Sequence, residues 1–476
     1  MIQHSEIKNL ETEWGLREDV IEKDYVISWL LWGIGSHAVL RDAWIFKGGT
    51  CLKKCYFETY RFSEDLDFTV LSDGPLSPDE CLPILDDVVA RVHEASGLDF
   101  TIQSRRMKLR PDDQSSEGRV YYRGPRQAPS PGLIKLDLNA REKLARPPVL
   151  RSIAHAFTDD LPGDSSVRCY SFEELFAEKI RALGERTRPR DLYDVVNIYR
   201  HSDLRNEPAL IRDVLREKCC SKGVEFPSYD AIINSPVYHE LKSEWENMLA
   251  HQLPNLPPHS LYVDAMKDFF DWLEERVTAE ILPTVPTATG EDVSWTPPVT
   301  VYAWGQGIPL EPVRFAGANY LCVEIDYRKE SGKRTHRTIE PYSLRKTLDG
   351  NIILHAYDRG ESAHRSFRVD RLMAVNVTQI PFKPRYQVEF TQTGNVRIAP
   401  TTTGSRSVSP TTRRRSSPRR VSRPRAPSYG PTYIIECSYC SKRFRRKTLS
   451  TTMRKHKDKS GRDCAGRTGY HVDTIY

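Results

Sequence analysis

The chain has 476 residues, 39% of them hydrophobic and 10% aromatic, enough apolar content for roughly two to four folded domains. No apolar run reaches the length of a membrane span, and the opening "MIQHSEIKNLETEWG" lacks the apolar core of a signal peptide. The ten scattered cysteines form no disulfide-like framework, so a reducing, cytoplasmic setting is expected. The net charge of +6 hides −9 over residues 1–400 and +15 over the last 76, a balance that points to a polyanion partner at the C-terminus, with a merely solubilising tail as the plain alternative.

In chain order, "REDVIEKDYVISWLLWGIG" (17–35) has helical apolar spacing through Val20, Tyr25, Ile27, Leu30 and Leu31. "DAWIFKGG" reads as a strand entering a glycine turn, and "LDFTVL" and "LIKLDLN" read as short strands. "SFEELFAEKIRALGER" predicts a helix with a capping box, Ser171 at the cap and Glu174 three residues on. From Pro189 to about residue 280 the pattern is mostly helical. "LPTVPTATGEDVSWTPP" reads as a linker, with its centre at 283–296. Residues 297–395 are expected to be all-β. Residues 396–431, rich in Ser, Pro and Arg, are expected to be disordered; 401–430 alone contain eight arginines and no acid. The predicted folded pieces are therefore 1–282, 297–395 and 432–476: an α+β domain with a helical C-terminal part, an all-β piece and a small C-terminal module.

The segment "KGGTCLKKCYFETYRFSEDLDF" (47–68) carries the first chemistry. Asp65 and Asp67 are two apart on an extended stretch, so both leave one face, while Glu64 points to the other. Asp137 lies on a second strand. Carboxylates converging at strand ends make a hard-oxygen site suited to Mg²⁺ or Mn²⁺, which can clamp a nucleotide's phosphates. Gly48 and Gly49 allow backbone N–H groups close to a triphosphate, Thr50 adds a hydroxyl donor, and Lys53 is counted with them for nucleotide binding. Read alone, a D-x-D is most often a strand's solvent face. Lys179 falls on the apolar stripe of its helix, where a lysine either snorkels or is held by an anion. Asp191 and Asp194 share a helix face, which for acids near a helix start is also a favourable dipole position.

These segments, with "IEKDYVISWLL", "IKLDLNAREKL" and "SFEELFAEKIRALGERTRPRDLYDVVNIY", resemble the AbiEii/AbiGii-type nucleotidyltransferase toxins of the polymerase β-like superfamily. The resemblance implies that Gly48, Gly49, Thr50, Asp65, Asp67 and Asp137 hold the nucleotide and its metals. It also implies that Lys179 meets nucleotide phosphate and that Arg190 and Asp191 lie at the catalytic cleft, with Asp194 supporting Arg186 or Arg190. The implied reaction is attack of an acceptor hydroxyl on the α-phosphate of an NTP, releasing pyrophosphate. Similar toxins, some of which add nucleotides to tRNA 3′ ends, usually sit beside an antitoxin.

"VEIDYRKESGKRTHRTIEP", "NIILHAYD" and "SFRVDRLMAV" resemble a WYL domain, an SH3-like barrel. The tripeptide that names the family falls on Ile352, Ile353 and Leu354, so its Trp and Tyr are missing. Tyr327, Arg337, Arg368 and Arg371 keep the polar positions, which implies nucleic-acid or effector binding. The bland alternative pairs Arg337 and Arg371 with Glu340 and Asp370 on the surface. In the last piece, Cys437 and Cys440 form a C-x2-C knuckle that His456 and Cys464 complete as a Cys₃His zinc set, with His471 as a possible replacement for Cys464. The bases around it (Arg443, Arg445, Arg446, Lys447, Arg454, Lys455 and Lys457) favour RNA or DNA phosphate contacts. The expectation is a nucleotidyltransferase toxin or phage-defence effector acting on a nucleic acid, RNA such as tRNA. The rivals are a non-enzymatic regulator on a degenerate scaffold and an enzyme that nucleotidylates protein.

Overall fold

The computed structural model describes residues 1–57, 60–201, 207–277, 282–287, 290–292 and 310–390, and in the C-terminal piece 432–437, 440, 442–446, 455–457, 462–464 and 468–475. The expected disordered segment 396–431 lies outside the described residues, as do 288–289 and 293–296 of the first linker. The chain divides into two compact units, Met1–Ile398 and Ala399–Tyr476.

The first unit opens with helices His4–Trp14 and Glu18–Ser36, the latter on the segment whose apolar spacing predicts it. Seven strands follow: β1 (Trp44–Lys47), β2 (Asp65–Val70), β3 (Arg106–Leu109), β4 (Ser115–Tyr122), β5 (Gly132–Asn139), β6 (Val149–Ser152) and β7 (Ser166–Cys169). They form one sheet in the order β3-β4-β5-β2-β1-β7-β6. β2 runs antiparallel to β1 and parallel to β5. Along β2 the residues alternate, with Leu66 and Phe68 fully buried while Asp65 and Asp67 are half-buried on the opposite face. Helix Pro78–Ser96 is closed by a full capping box, Ser77 with Glu80, and by Gly97 in the left-handed region.

The helical part includes Phe172–Arg186, Pro189–Arg200, Pro208–Lys222 and His259–Leu273. Ser171 accepts from the Glu174 N–H as expected, but the other half of the box is not made. The Glu174 carboxylate instead accepts from the N–H groups of Ala145 and Arg146 and pairs with Lys218 at 2.6 Å. A buried carboxylate offered two backbone donors and an ammonium gains more there than at its own helix end.

The all-β expectation for 297–395 needs correcting. Residues 297–309 lie outside the described residues, and Glu311–Ala318 is a helix with proline at its start. After it come β8 (Leu321–Arg328), β9 (Arg334–Lys346), β10 (Ile352–Asp358), β11 (Ala363–Arg368) and β12 (Leu372–Pro381), antiparallel in the order β11-β10-β9-β8-β12. Within this stretch β11 and β12 are separated by a 3₁₀ turn at Val369–Arg371. Leu310, Val313 and Phe315 belong to the same continuous buried apolar cluster as the residues under the seven-stranded sheet.

The second unit holds β13 (Thr432–Cys437), β14 (Arg443–Arg446) and β15 (Gly469–Ile475) in the order β14-β13-β15. Among the described residues, no helix is long and apolar enough to cross a membrane.

Candidate active site

Register, rather than sequence proximity, assembles the acids. Asp67 of β2 lies opposite Lys47 of β1 and opposite Asp137 of β5, which in turn faces Glu117 of β4. Lys47, Asp67, Asp137 and Glu117 therefore form one row across four strands. Asp65 sits two residues along β2, opposite Lys135. Asp137 is half-exposed and held by Arg110, with Nη2–Oδ2 at 2.8 Å.

The chain enters this face through Gly48, whose φ of +82° is left-handed. A Cβ there would lie 2.2 Å from Asp67 Oδ2, so conformation and contact both require glycine. A Cβ on Gly49 would meet Arg61 Nη2 at 2.6 Å. The pair opens a helical turn, Gly48–Cys51, that continues as a π-helical turn, Leu52–Tyr56. Thr50 is buried, and its hydroxyl donates to the Asp65 carbonyl at 2.5 Å, fixing the start of β2. Gly48→Ala is expected to cost about 1–3 kcal/mol of stability and to lower kcat/KM about 100-fold or more. Thermal melts and initial rates check both.

Electrostatics mark the same face. Burial pushes the Asp67 carboxyl up to about 6; the Asp137 and Asp65 charges add to this, against the opposing pull of Lys47 and Lys179. Asp65 is also raised, by burial and by Glu64, while Lys135, Lys23 and Arg190 act the other way. Carboxylates that resist ionisation next to one another, all presenting hard oxygens, fit a divalent cation. Lys47 is also ion-paired with the buried Glu142, which Lys222 approaches at 3.3 Å. Glu64 is held by Lys23 at 2.7 Å, with His251 at 3.6 Å. Asp24, next to Lys23, is used internally, pairing with the buried Lys54 at 2.6 Å.

Behind the glycine turn lies a second, fully buried node. Asp194 takes a fork from Arg61 (Nε–Oδ1 2.6 Å, Nη2–Oδ2 2.7 Å), Lys179 at 2.7 Å and the Tyr60 hydroxyl at 2.7 Å. Burial alone would raise this carboxyl, but the Arg61 and Lys179 charges outweigh it and hold it well below the usual range. Two cations against one carboxylate leave an excess positive charge, and Lys179 is close enough to act on Asp67. Asp191 is buried too and is forked by Arg186 at 2.7 and 2.8 Å. The support relation read from sequence is thus reassigned: Asp191 pairs with Arg186, and Asp194 with Arg61, Lys179 and Tyr60. Arg190 donates to the Met248 carbonyl at 3.2 Å and acts electrostatically on Glu64 and Asp65.

Lys53 is not brought to this face. Its ammonium lies 4.4 Å from the Phe62 ring centroid, and its strongest charged neighbours are Asp24, Glu311, Lys54 and Arg314. The residues that sequence reading missed are Lys47, Arg61, Tyr60 and Arg110. Of these, Tyr60 and Arg61 had a local signal, lying together in the aromatic run "YFETYRF".

In the barrel, Arg337 pairs with Asp358 and with Glu361 (2.7 Å), Arg368 forks onto Asp370 (3.0 and 2.6 Å), and Arg371 lies 3.6 Å from Glu330. Tyr327 is edge-on to Phe367 at 5.2 Å. The arginines are paired, but not with the acids expected. Asp370 is taken by its neighbour Arg368, and Glu340 is buried, with Arg385 at 3.4 Å. Ile352, Ile353 and Leu354 fall on β10.

In the second unit the Cys437, Cys440, His456 and Cys464 ligand atoms all lie within 4.8 Å of one another. Cys437 N–H donates to the Lys442 carbonyl at 3.0 Å, the turn that folds a knuckle around its thiols. His471 is on β15, its side chain outside the described residues, like Lys447 and Arg454. In the first unit Cys51, Cys55 and Cys169 also cluster, fully buried, but three thiols do not make the closed tetrahedral set of a structural zinc site.

Comparison with known proteins adds the following. A family model described as nucleotidyl transferase AbiEii toxin, type IV TA system, matches residues 29–275, and a WYL domain model matches residues 310–377. No curated protein matches the chain. Among solved structures, MenT4, a nucleotidyltransferase toxin from Mycobacterium tuberculosis H37Rv, is similar at 19% identity and a TM-score of 0.41, covering 58% of this chain and 90% of that one. Proteasome accessory factor B/C of Arthrobacter aurescens is similar at 15% identity and a TM-score of 0.16, covering 62% of this chain and 41% of that one.

Proposed function

The chain belongs to the AbiEii nucleotidyltransferase toxin family, with a WYL domain following, and from that premise we propose that it transfers NMP from an NTP to a nucleic-acid acceptor, RNA such as tRNA, in a toxin or phage-defence role. Nucleotidyl transfer is the family's activity. The observation that carries the site reading is the row in which Asp67 meets Asp137 across one strand pair while Gly48 closes on Asp67.

In this reading Asp65, Asp67 and Asp137 would hold Mg²⁺ or Mn²⁺. The ion, when bound, neutralises phosphate charge and aligns the attacking and leaving oxygens. Gly48 and Gly49 let the backbone approach the triphosphate, and Thr50 acts by fixing the Asp65 backbone. Lys179 and Arg61, held in place by Asp194, bring positive charge to the phosphates. Arg110 orients Asp137, and Arg190 borders Asp65. Catalysis on this plan is positioning plus charge neutralisation. The RNA reading rests on the +15 of the last 76 residues and on the WYL domain. An antitoxin partner is proposed from the family alone.

The test is incubation with α-labelled NTPs, Mg²⁺ and total RNA. Label is expected on RNA with the wild-type chain and not with Asp65→Ala plus Asp67→Ala. Label on protein instead would move the acceptor, and equal labelling by the double variant would overturn the site.

The Cys₃His cluster is proposed as a structural zinc site, because a module this small lacks the core to fold without metal. Purified protein is expected to carry about one zinc per chain by elemental analysis. Cys437→Ser plus Cys464→Ser should bring this close to zero.

A further inference from the structure

The WYL segment does not merely follow the transferase. Asn319, at the end of helix Glu311–Ala318, is buried, and its side-chain carbonyl accepts a hydrogen bond from the Tyr262 hydroxyl. Its amide group donates to the Phe315 carbonyl at 2.8 Å, which fixes the orientation of the acceptor. Tyr262 belongs to helix His259–Leu273 of the transferase part, and its hydroxyl also accepts from Asn197 at 3.0 Å. Its ring stacks on Tyr193, with centroids 5.2 Å apart and planes 15° from parallel. Tyr193 immediately precedes Asp194 on helix Pro189–Arg200 and stands edge-on to Tyr60, with centroids 6.0 Å apart. The Tyr60 hydroxyl donates to Asp194. Every member of this chain is buried, so no water can replace a lost partner.

We infer that the barrel segment supplies a positioning residue to the transferase centre: Asn319, through Tyr262 and the first turns of the Pro189–Arg200 helix, holds Asp194 where its two cations bring positive charge to the nucleotide site. This rests on the reading of Arg61 and Lys179 as phosphate-binding groups. The geometry favours it because Tyr262 is tied on both sides, to Asn319 by one bond and to Asn197 by another. Losing the Asn319 bond removes the barrel segment's hydrogen bond to the residue whose ring stacks on Tyr193. Asp194 has no slack to absorb such a shift, since three donors converge on it within 2.7 Å.

The test uses the full chain and measures two quantities: Mg²⁺–NTP affinity by calorimetry with each of the four NTPs, and KM and kcat for label transfer to total RNA. Tyr262→Phe keeps the ring and removes only the hydroxyl, and Asn319→Leu removes the acceptor. Each is expected to weaken NTP binding and raise KM about tenfold, with kcat kept within about threefold. Partial unfolding would instead lower the active fraction, and so kcat, without moving KM. The thermal midpoint should fall by only a few degrees, about what one buried hydrogen bond provides. Combining Tyr60→Phe with Tyr262→Phe should cost little more than the worse single change, because both act on one node. The inference is overturned if Tyr262→Phe and Asn319→Leu bind NTP within twofold of wild type, or if the Tyr60 and Tyr262 losses multiply. A wild-type chain that binds Mg²⁺–NTP but labels no RNA removes the RNA reading and leaves the role of Asn319 to be decided by the binding data. A wild-type chain that binds no NTP overturns the phosphate reading and this inference with it.

Discussion

Asp67→Asn is expected to abolish nucleotidyl transfer, by about 1,000-fold or more, and at the same time to make the metal-free protein more stable. The two effects share one cause. Asp67 is squeezed between burial and the neighbouring Asp137 and Asp65, which raises its carboxyl from 3.8 to about 6. At neutral pH its charge therefore opposes folding, by about 1–3 kcal/mol at 1.36 kcal/mol per unit. Asparagine keeps the shape and removes the charge, and also removes the ligand that a divalent cation needs. The sign fixes the pH window. A raised folded value means that the protonated form stabilises, fully below the unfolded value near 4 and progressively less as pH rises to about 6. The advantage of Asp67→Asn should open between pH 4 and 6 and stay level above that. Added Mg²⁺ should close the gap by raising only the wild type. Scanning fluorimetry from pH 4 to 8, with and without Mg²⁺, reads this. A variant less stable than wild type at pH 7.5 without metal, or an equal Mg²⁺ response in both proteins, would count against the site.

Asp194→Asn should do the opposite to stability. It strands Arg61 and Lys179 in the interior, and breaking one side of a buried ion pair typically costs about 3–5 kcal/mol. The melting temperature should drop by roughly 5 °C, and transfer should fall with it. Replacing the whole node, with Asp194→Leu, Arg61→Leu and Lys179→Met together, should recover much of that stability and none of the activity. The pH dependence also differs. A carboxyl held below its ordinary value contributes stability that is present above about pH 4 and lost only as acid protonates it. The gap between wild type and Asp194→Asn should therefore be flat from pH 8 to 5, whereas that of Asp67→Asn changes below about pH 6. Parallel urea titrations at pH 5 and pH 7.5 separate the two cases.

What could be read from the sequence was what depends on short spacings. Asp65 and Asp67 leave one face of β2 because a strand alternates, and the Cys437–Cys440 knuckle is visible in a window of four residues. What could not be read depends on pairing at long range. Lys47 meets Asp67 only through antiparallel register, and Arg61 meets Asp194 across 133 positions. No local pattern distinguishes Asp194 from Asp191, and the fold alone decides which cations each receives. Lys53 sits in the same basic stretch as the site residues, yet the π-helical turn carries it toward Glu311 and Arg314. Helix Glu311–Ala318 was hidden because its eight residues, "EPVRFAGA", follow a proline-rich stretch and precede strands.

The single apolar cluster shared by the sheet and by Leu310, Val313 and Phe315 has a consequence for how this protein can be cut and recombined. Family boundaries at residues 275 and 310 suggest two exchangeable cassettes. A core that crosses the boundary melts as one cooperative body, and a chain ended after residue 275 presents its inner face to water. Such a fragment would aggregate before it could be scored as active or inactive, and a barrel grafted from another member would have to bring its own match for that face.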